Sequence, residues 1–355
     1  MIAMKKLTQL FLIAGFILAG HCFTYGQYGK IALQHSGNVT TFTDLTAAIT
    51  ASVNGDTLYL PGGTIFASGS TITIYKSLTI FGAGHYPDST TATSQTLISK
   101  NIYINTGADG GLLCGVKCNS LCFGNSVDNQ NVNNFRIIRC YIGTFTPAYS
   151  GQSTSQNILI SENVVVQVST SSGFSSVLYE KNIFHYFNIS PYSATFNNNI
   201  FYVSDYYFMV YGSSVGLFNN NIIIYSQSAP SYNFVIGSSN TVFNNTLFSW
   251  IYYTSGIVTY NGTFTSRIGI EKATDTFINA TTATFSYSNN YHLNPTSIGH
   301  NAGGDGTDVG IYGTLYPCKD GAVPSNPHII SKNIGIATNP TGTLNVDIKV
   351  SAQDR

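Results

Sequence analysis

Charged side chains are few in this chain of 355 residues, with 15 Lys and Arg against 15 Asp and Glu. Four of them, Arg139, Glu162, Glu180 and Lys181, stand at matching places of a recurring motif, so repetition of the chain brings them to one edge. A carboxylate pair beside an Arg and a Lys can hold a cation or pass a proton, and these four are the candidate catalytic residues. The simpler reading is ion pairs between neighbouring coils, each worth about 0–1 kcal/mol. Asp305 and Asp308 stand in D-G-T-D, which has oxygen ligands for Ca²⁺ but reads better as a closing turn. His185 and His292 each stand singly and read as structural. Cys114, Cys118 and Cys122 are spaced C-x3-C-x3-C, without the C-x2-C spacing or nearby His of a zinc site. No metal site and no cofactor is expected, Ca²⁺ being the only ion that comes into view.

The element that positions these residues is a repeat of the form apolar-x-x-Asn-apolar. It reads ISENV at Ile160–Val164, YEKNI at Tyr179–Ile183, FNNNI at Phe196–Ile200 and again at Phe218–Ile222, FNNTL at Phe243–Leu247 and YSNNY at Tyr287–Tyr291. An earlier copy, IRCYI at Ile138–Ile142, has Tyr141 in the Asn place. The period of about 20 residues varies in length, and strand-length runs such as NILI, VVVQV and IIIY alternate with Ser/Gly/Asn clusters. This pattern predicts a solenoid of β-coils, a parallel β-helix, in which each coil buries its apolar face only against its neighbours. Asn163, Asn182, Asn199, Asn221 and Asn290 are expected in the turn between strands, where Asn tolerates left-handed backbone. Stacked at the spacing of adjacent strands, about 4.8 Å, their amides would form a ladder.

If the last apolar residue of each motif points inward, the next column points out. That column is Val165, Phe184, Phe201, Ile223 and Phe248, and two places on come Gln167, Tyr186, Val203, Tyr225 and Trp250. An exposed apolar and aromatic sheet of this kind is a binding surface. Tyr186, Tyr225, Trp250, Phe184, Phe201 and Phe248 are therefore the candidate glycan-binding residues. The competing reading has the tail or a loop covering this face as a second core. A slip of one residue in register turns the columns inward and removes the argument.

Composition agrees with a β-rich, turn-rich protein: 43% hydrophobic, 8% charged and formal net charge +0. No basic patch suggests nucleic acid. Lys5 and Lys6 followed by the apolar run Leu10–Gly20 read as a secretory signal cleaved after Gly26. The run is too short for a comfortable membrane span. Export makes disulfides possible, and the pairing among Cys114, Cys118, Cys122, Cys140 and Cys318 stays open. The plain reading is small buried side chains, with at most a staple from Cys140 to Cys118 or Cys122.

Three stretches carry a resemblance to a known family. FTDLTAAITASVNGDTLYLPGGTI (Phe42–Ile65) has a helix with Thr43 or Asp44 as cap, a GDT strand and a PGG turn. TITIYKSLTIFGAG (Thr71–Gly84) follows, and GGDGTDVGIYG (Gly303–Gly313) comes near the other end. In these the chain resembles the right-handed parallel β-helix superfamily, the pectate-lyase-like fold, and in particular its secreted bacterial members. The resemblance implies one solenoid over residues 27–313 with an N-terminal helical cap, closed by the Gly303–Gly313 coil. It also implies a tail, 314–355, packing back onto the solenoid. Within that tail LNVDIKVSA (Leu344–Ala352) alternates with period two as a half-buried strand. Lyases and hydrolases of this family act on polysaccharides. Their catalytic motifs (N-x-D with a following DD, GHG, R-x-K, R-x-P-x-x-R, a D-H pair) have no counterparts here.

The fold expected is all-β: a single-stranded right-handed parallel β-helix with an N-terminal helical cap and a C-terminal strand tail. The function expected first is a secreted or surface-exposed, non-catalytic protein that recognises a polysaccharide or cell-surface glycan through the outer aromatic face. The alternatives are a polysaccharide lyase or hydrolase with an atypical site, and a structural or assembly protein docking a protein partner through an apolar sheet.

Overall fold

The computed structural model describes residues 29–125, 131–149, 154–168, 174, 176–189, 193–203, 208–210, 215–225, 241–251 and 263–352. The expected signal segment, 1–26, lies outside the described residues. The chain folds as an all-β parallel solenoid. Each coil places one short strand in a first sheet and, after a tight turn, a second strand in a facing sheet. The first sheet runs through Leu112–Cys114, Arg136–Ile138, Ile158–Ser161, Val177–Glu180, Ser193–Asn197, Val215–Asn219 and Val242–Asn244. The second runs through Lys117–Phe123, Tyr141–Thr146, Val164–Val168, Ile183–Ile189, Ile200–Val203, Ile222–Tyr225 and Thr246–Trp250. Neighbours among these strands are parallel and in register.

The N-terminal end begins with an antiparallel pair, Ile31–His35 with Asn38–Phe42, which the sequence reading did not foresee. The helix Leu45–Ala51 follows, and Asp44 is its cap, accepting from Thr46 N at 2.9 Å. Leu45, Ala48 and Ile49 join the solenoid core. The far end of the helix is closed by Lys76, whose Nζ donates to the carbonyls of Ile49, Thr50 and Ser52 at 2.9, 2.9 and 2.6 Å.

Three consecutive Asn in FNNNI do three different jobs. The first, Asn197 or Asn219, ends a strand of the first sheet. Its amide bonds the next coil, Asn219 Nδ2 to Asn197 Oδ1 at 2.9 Å and Asn244 Nδ2 to Asn219 Oδ1 at 2.7 Å. The second is the turn residue, with φ of 56° at both Asn198 and Asn220. The third, Asn199 or Asn221, is buried in the ladder. Asn163, Asn182, Asn199 and Asn221 stack with each Nδ2 donating to the next Oδ1 at 3.0 to 3.1 Å. Each Oδ1 also accepts a backbone N–H from the preceding coil.

The left-handed residue is therefore the one before the ladder Asn. Gly115, Arg139, Glu162, Lys181, Asn198, Asn220 and Asn245 make one column of positive φ along seven coils. Arg139 belongs to this column and Cys140 takes the ladder place, its N–H bonding Asn163 Oδ1 at 2.8 Å. The early copy thus reads one residue earlier than the sequence alignment put it, as IIRCY. Asn290 is not in the ladder. Its strand, Asn290–Leu293, pairs antiparallel with Phe277–Asn279 outside the solenoid.

Two columns of rings fill the interior. Tyr179, Phe196, Phe218 and Phe243 stack at 4.9, 4.3 and 4.8 Å between centroids, and Phe184 stacks on Phe201 at 5.2 Å. Phe184, Phe201 and Phe248 point inward, at 0%, 0% and 4% exposure, which corrects their assignment to an outer glycan-binding face. Ile183, Ile200, Ile222 and Leu247 point outward instead. They are covered by Phe277, Tyr291, Leu293, Val309 and Ile311, which form a second core. Both columns are apolar because both faces of this sheet are buried, so alternation alone did not reveal the register.

The segment Gly303–Gly313 does not close the solenoid as a coil. It runs along the outside, with Gly304 N and Gly310 N bonding Asn220 Oδ1 and O at 2.9 and 2.8 Å. The tail divides. Cys318, Ala322 and Val323 pack back onto the solenoid, whereas His328–Ile334 and Val346–Ser351 form an antiparallel hairpin. All six residues of Val346–Ser351 are exposed, so this strand is not the half-buried one expected.

Candidate functional site

The left-handed column carries Asn or Gly at Gly115, Asn198, Asn220 and Asn245, the residue types that accept this geometry most readily. In three successive coils it carries Arg139, Glu162 and Lys181 instead, with φ of 53°, 57° and 54°. An ordinary L-residue there costs roughly 1–2 kcal/mol, so these coils hold their charged residues against local preference. Strain of this kind concentrates at functional sites.

The four charged candidates come together. Arg139 Nε donates to Glu162 Oε2 at 2.8 Å, and Arg139 Nη1 donates to Val323 O at 2.7 Å. Ser161 Oγ donates to Glu180 Oε1 at 2.9 Å. Lys181 Nζ lies 3.9 Å from Glu180 Oε1, beyond hydrogen-bond reach, although its side chain is only 10% exposed. The Arg139–Glu162 pair is nearly buried and bound to the returning chain, so it locks the solenoid to its cover. Among the described residues the Lys181 ammonium has no comparable bond.

Lys181 and Glu162 form part of the wall of a cavity of about 260 Å³ between the turn edge and the returning segment. Tyr86, Tyr287, Tyr291 and Tyr312 contribute aromatic walls. Tyr312 is stacked on His292 at 3.6 Å between centroids and donates to Asp320 Oδ1 at 2.7 Å. His292 Nε2 is 3.3 Å from the same carboxylate oxygen. Tyr86 and Tyr287 pack edge to face at 4.9 Å. Tyr291 OH accepts from Tyr202 OH and from Asn289 Nδ2, both at 3.0 Å. Burial holds the phenols of Tyr86, Tyr287, Tyr291 and Tyr312 above the usual tyrosine range, so they stay neutral donors. Cys318, beside Glu162, is pushed up by burial first and by the Glu162 carboxylate second. Glu180 faces a separate groove of about 390 Å³ on the other side of Glu162.

Sequence reasoning missed this cavity because its walls come from residues as far apart as Tyr86 and Asp320. The clue was FSYSNNYH, Phe285–His292. Aligned as another repeat because of YSNNY, it is instead a cavity wall. His292, expected to be purely structural, is held in that wall.

The remaining expected residues lie elsewhere. Tyr186 and Trp250 are half-buried, Tyr186 against His185 at 4.0 Å and Trp250 beneath the Lys272 ammonium at 5.6 Å. Tyr225 packs against the main core, and Val203, in the same row, is inside it. The row is thus not a continuous exposed ladder. Asp308 bonds His300 Nδ1 at 3.0 Å and Asn301 N at 3.1 Å, and Asp305 bonds Thr307 N and Oγ1 at 3.1 and 2.7 Å. Both carboxylates serve turns. Cys114, Cys118, Cys122, Cys140 and Cys318 are all free thiols, so no staple joins Cys140 to Cys118 or Cys122. Among the described residues no helix is long and apolar enough to cross a membrane. Comparison of the chain with family models, with curated proteins and with solved structures gives no match.

Proposed function

We propose that this is an exported, non-catalytic glycan-binding protein whose site is the tyrosine-walled cavity beside Lys181. The observation that carries the reading is an almost buried lysine whose ammonium makes no hydrogen bond among the described residues, facing a cavity bounded by aromatic rings and neutral phenol donors. Aromatic faces suit the apolar faces of sugar rings, and a few convergent polar groups fix orientation. A sugar oxygen would supply the hydrogen bond that the Lys181 ammonium does not make to Glu180, and Asn289, His292 and Asp320 offer further donors and acceptors. The volume, about 260 Å³, is close to the lower end for ligand pockets and fits a short stretch of chain rather than a long one. Glu162, already bonded to Arg139, is engaged in holding the cover.

The test is binding of the mature chain to a panel of neutral and acidic polysaccharides, by affinity electrophoresis and calorimetry. Binding is expected, and Tyr312→Ala or Lys181→Met should abolish it while Trp250→Ala leaves it unchanged. Loss with Trp250→Ala alone would move the site to the sheet face. No binding across the panel would refute the proposal. Release of reducing ends that disappears with Glu162→Gln would replace it with an enzymatic one.

A further inference from the structure

The C-terminal hairpin forms a sheet of its own. Its two strands, His328–Ile334 and Val346–Ser351, pair only with each other among the described residues. An isolated two-stranded hairpin is marginal in water, and three or more strands with an apolar face are needed for stability. This hairpin has such a face: Ile334, Val346, Ile348 and Val350 lie on one side, each about half exposed, with Lys332 opposite Ile348 on the same side. Among the described residues no strand lies beside the outer edge of Val346–Ser351, which leaves that edge open to pairing with another chain.

The strand reads Val346-Asp347-Ile348-Lys349-Val350, which is self-complementary about its centre. Antiparallel pairing with its own copy across a two-fold axis at Ile348 sets Asp347 opposite Lys349 of the second copy. It also sets Val346 opposite Val350 and Ile348 opposite Ile348. Neither Asp347 nor Lys349 makes an ion pair within the described chain. Parallel pairing in register would instead set Asp347 on Asp347 and Lys349 on Lys349, which is repulsive. We propose that the chain forms a two-fold dimer through this edge, making a four-stranded sheet whose two central strands carry one apolar row, Val346, Ile348 and Val350 of both copies. Such an isologous interface is the commonest form of association between identical chains.

The experiment is sedimentation velocity on the mature chain over a concentration series, with charge-reversal variants. The wild type is expected to dimerise. Asp347→Lys alone sets Lys against Lys, and Lys349→Asp alone sets Asp against Asp. Each should weaken self-association about tenfold or more, because two attractive pairs become two repulsive ones. Mixing the two single variants should give a heterodimer, and the double variant D347K/K349D should regain the homodimer. Recovery on mixing also shows that each variant is folded. A wild type that stays monomeric overturns the proposal, as does a dimer whose affinity changes less than about twofold in the single variants.

Discussion

Removing one rung of the buried Asn ladder should cost far more than removing an Asn of the same motif outside it. Asn199 is the sharpest case. Its Oδ1 accepts from Asn182 N at 2.9 Å and Asn182 Nδ2 at 3.0 Å. Its Nδ2 donates to Tyr179 O at 3.0 Å and Asn221 Oδ1 at 3.1 Å. Asn199→Ala breaks all four. At about 1 kcal/mol net for each buried bond, the loss is about 4 kcal/mol. Among the described residues the Asn290 side chain accepts only from His292 N, at 3.0 Å, and Asn290 is half-buried. Asn290→Ala should therefore cost about 1 kcal/mol or less. Asn199→Asp should be worse than Ala near neutral pH, because it places a carboxylate where two acceptors, Tyr179 O and Asn221 Oδ1, need a donor. The assay is urea unfolding followed by circular dichroism, reading the shift of midpoint at constant slope. A loss below about 1 kcal/mol for Asn199→Ala, or equal losses at positions 199 and 290, would show that the amide stack does not hold the coils together.

Other outcomes follow from the same geometry. Lys181→Asn should relieve left-handed strain and raise stability by about 1 kcal/mol while weakening glycan binding. A stability loss would mean that the lysine holds the fold rather than the ligand. Phe201→Ala removes a stacked ring from the core and should cost about 3–5 kcal/mol in the same unfolding assay; a change under 1 kcal/mol would contradict its inward orientation. Burial holds Cys114 and Cys118 at about 12 and Cys122 at about 11. Their folded pKa values are raised, so this stability is complete below the unfolded thiol value of about 8.5 and is lost as pH rises toward the folded values. Cys118→Ala should flatten the stability curve over that range, and native thiols should resist alkylation until the chain is unfolded. His85 is fully buried, its Nε2 has no hydrogen-bond partner among the described residues, and burial first and the Lys117 charge second lower it to about 3. The unfolded chain binds the extra proton below about 6.5, so stability falls as pH drops from there toward 3. His85→Phe should remove that part of the acid slope, and an unchanged slope would refute the assignment.

Much of this protein was legible in its sequence. The spacing of Asn163, Asn182, Asn199 and Asn221 set the coil period and the stacked amides, because one side chain per coil at one place must meet its own kind in the next. Strand-length β-branched and aromatic runs, with almost no helix formers, set the all-β class, and Asp44 set the helix cap. The charged edge was also local in this sense, since repeats carry Arg139, Glu162, Glu180 and Lys181 to neighbouring coils. What only the tertiary structure decided depends on contacts between distant segments. The facing of Phe184, Phe201 and Phe248 was undecidable from alternation, because the returning chain buries the other side of the sheet as well. The left-handed role of Glu162 and Lys181 was hidden because neither residue type favours that geometry. The cavity exists only where Tyr86, Tyr287 and Tyr312 meet, and no periodicity links them. A repeat writes its own neighbour relations along the chain. A site assembled from non-repeating segments is written only in how they pack.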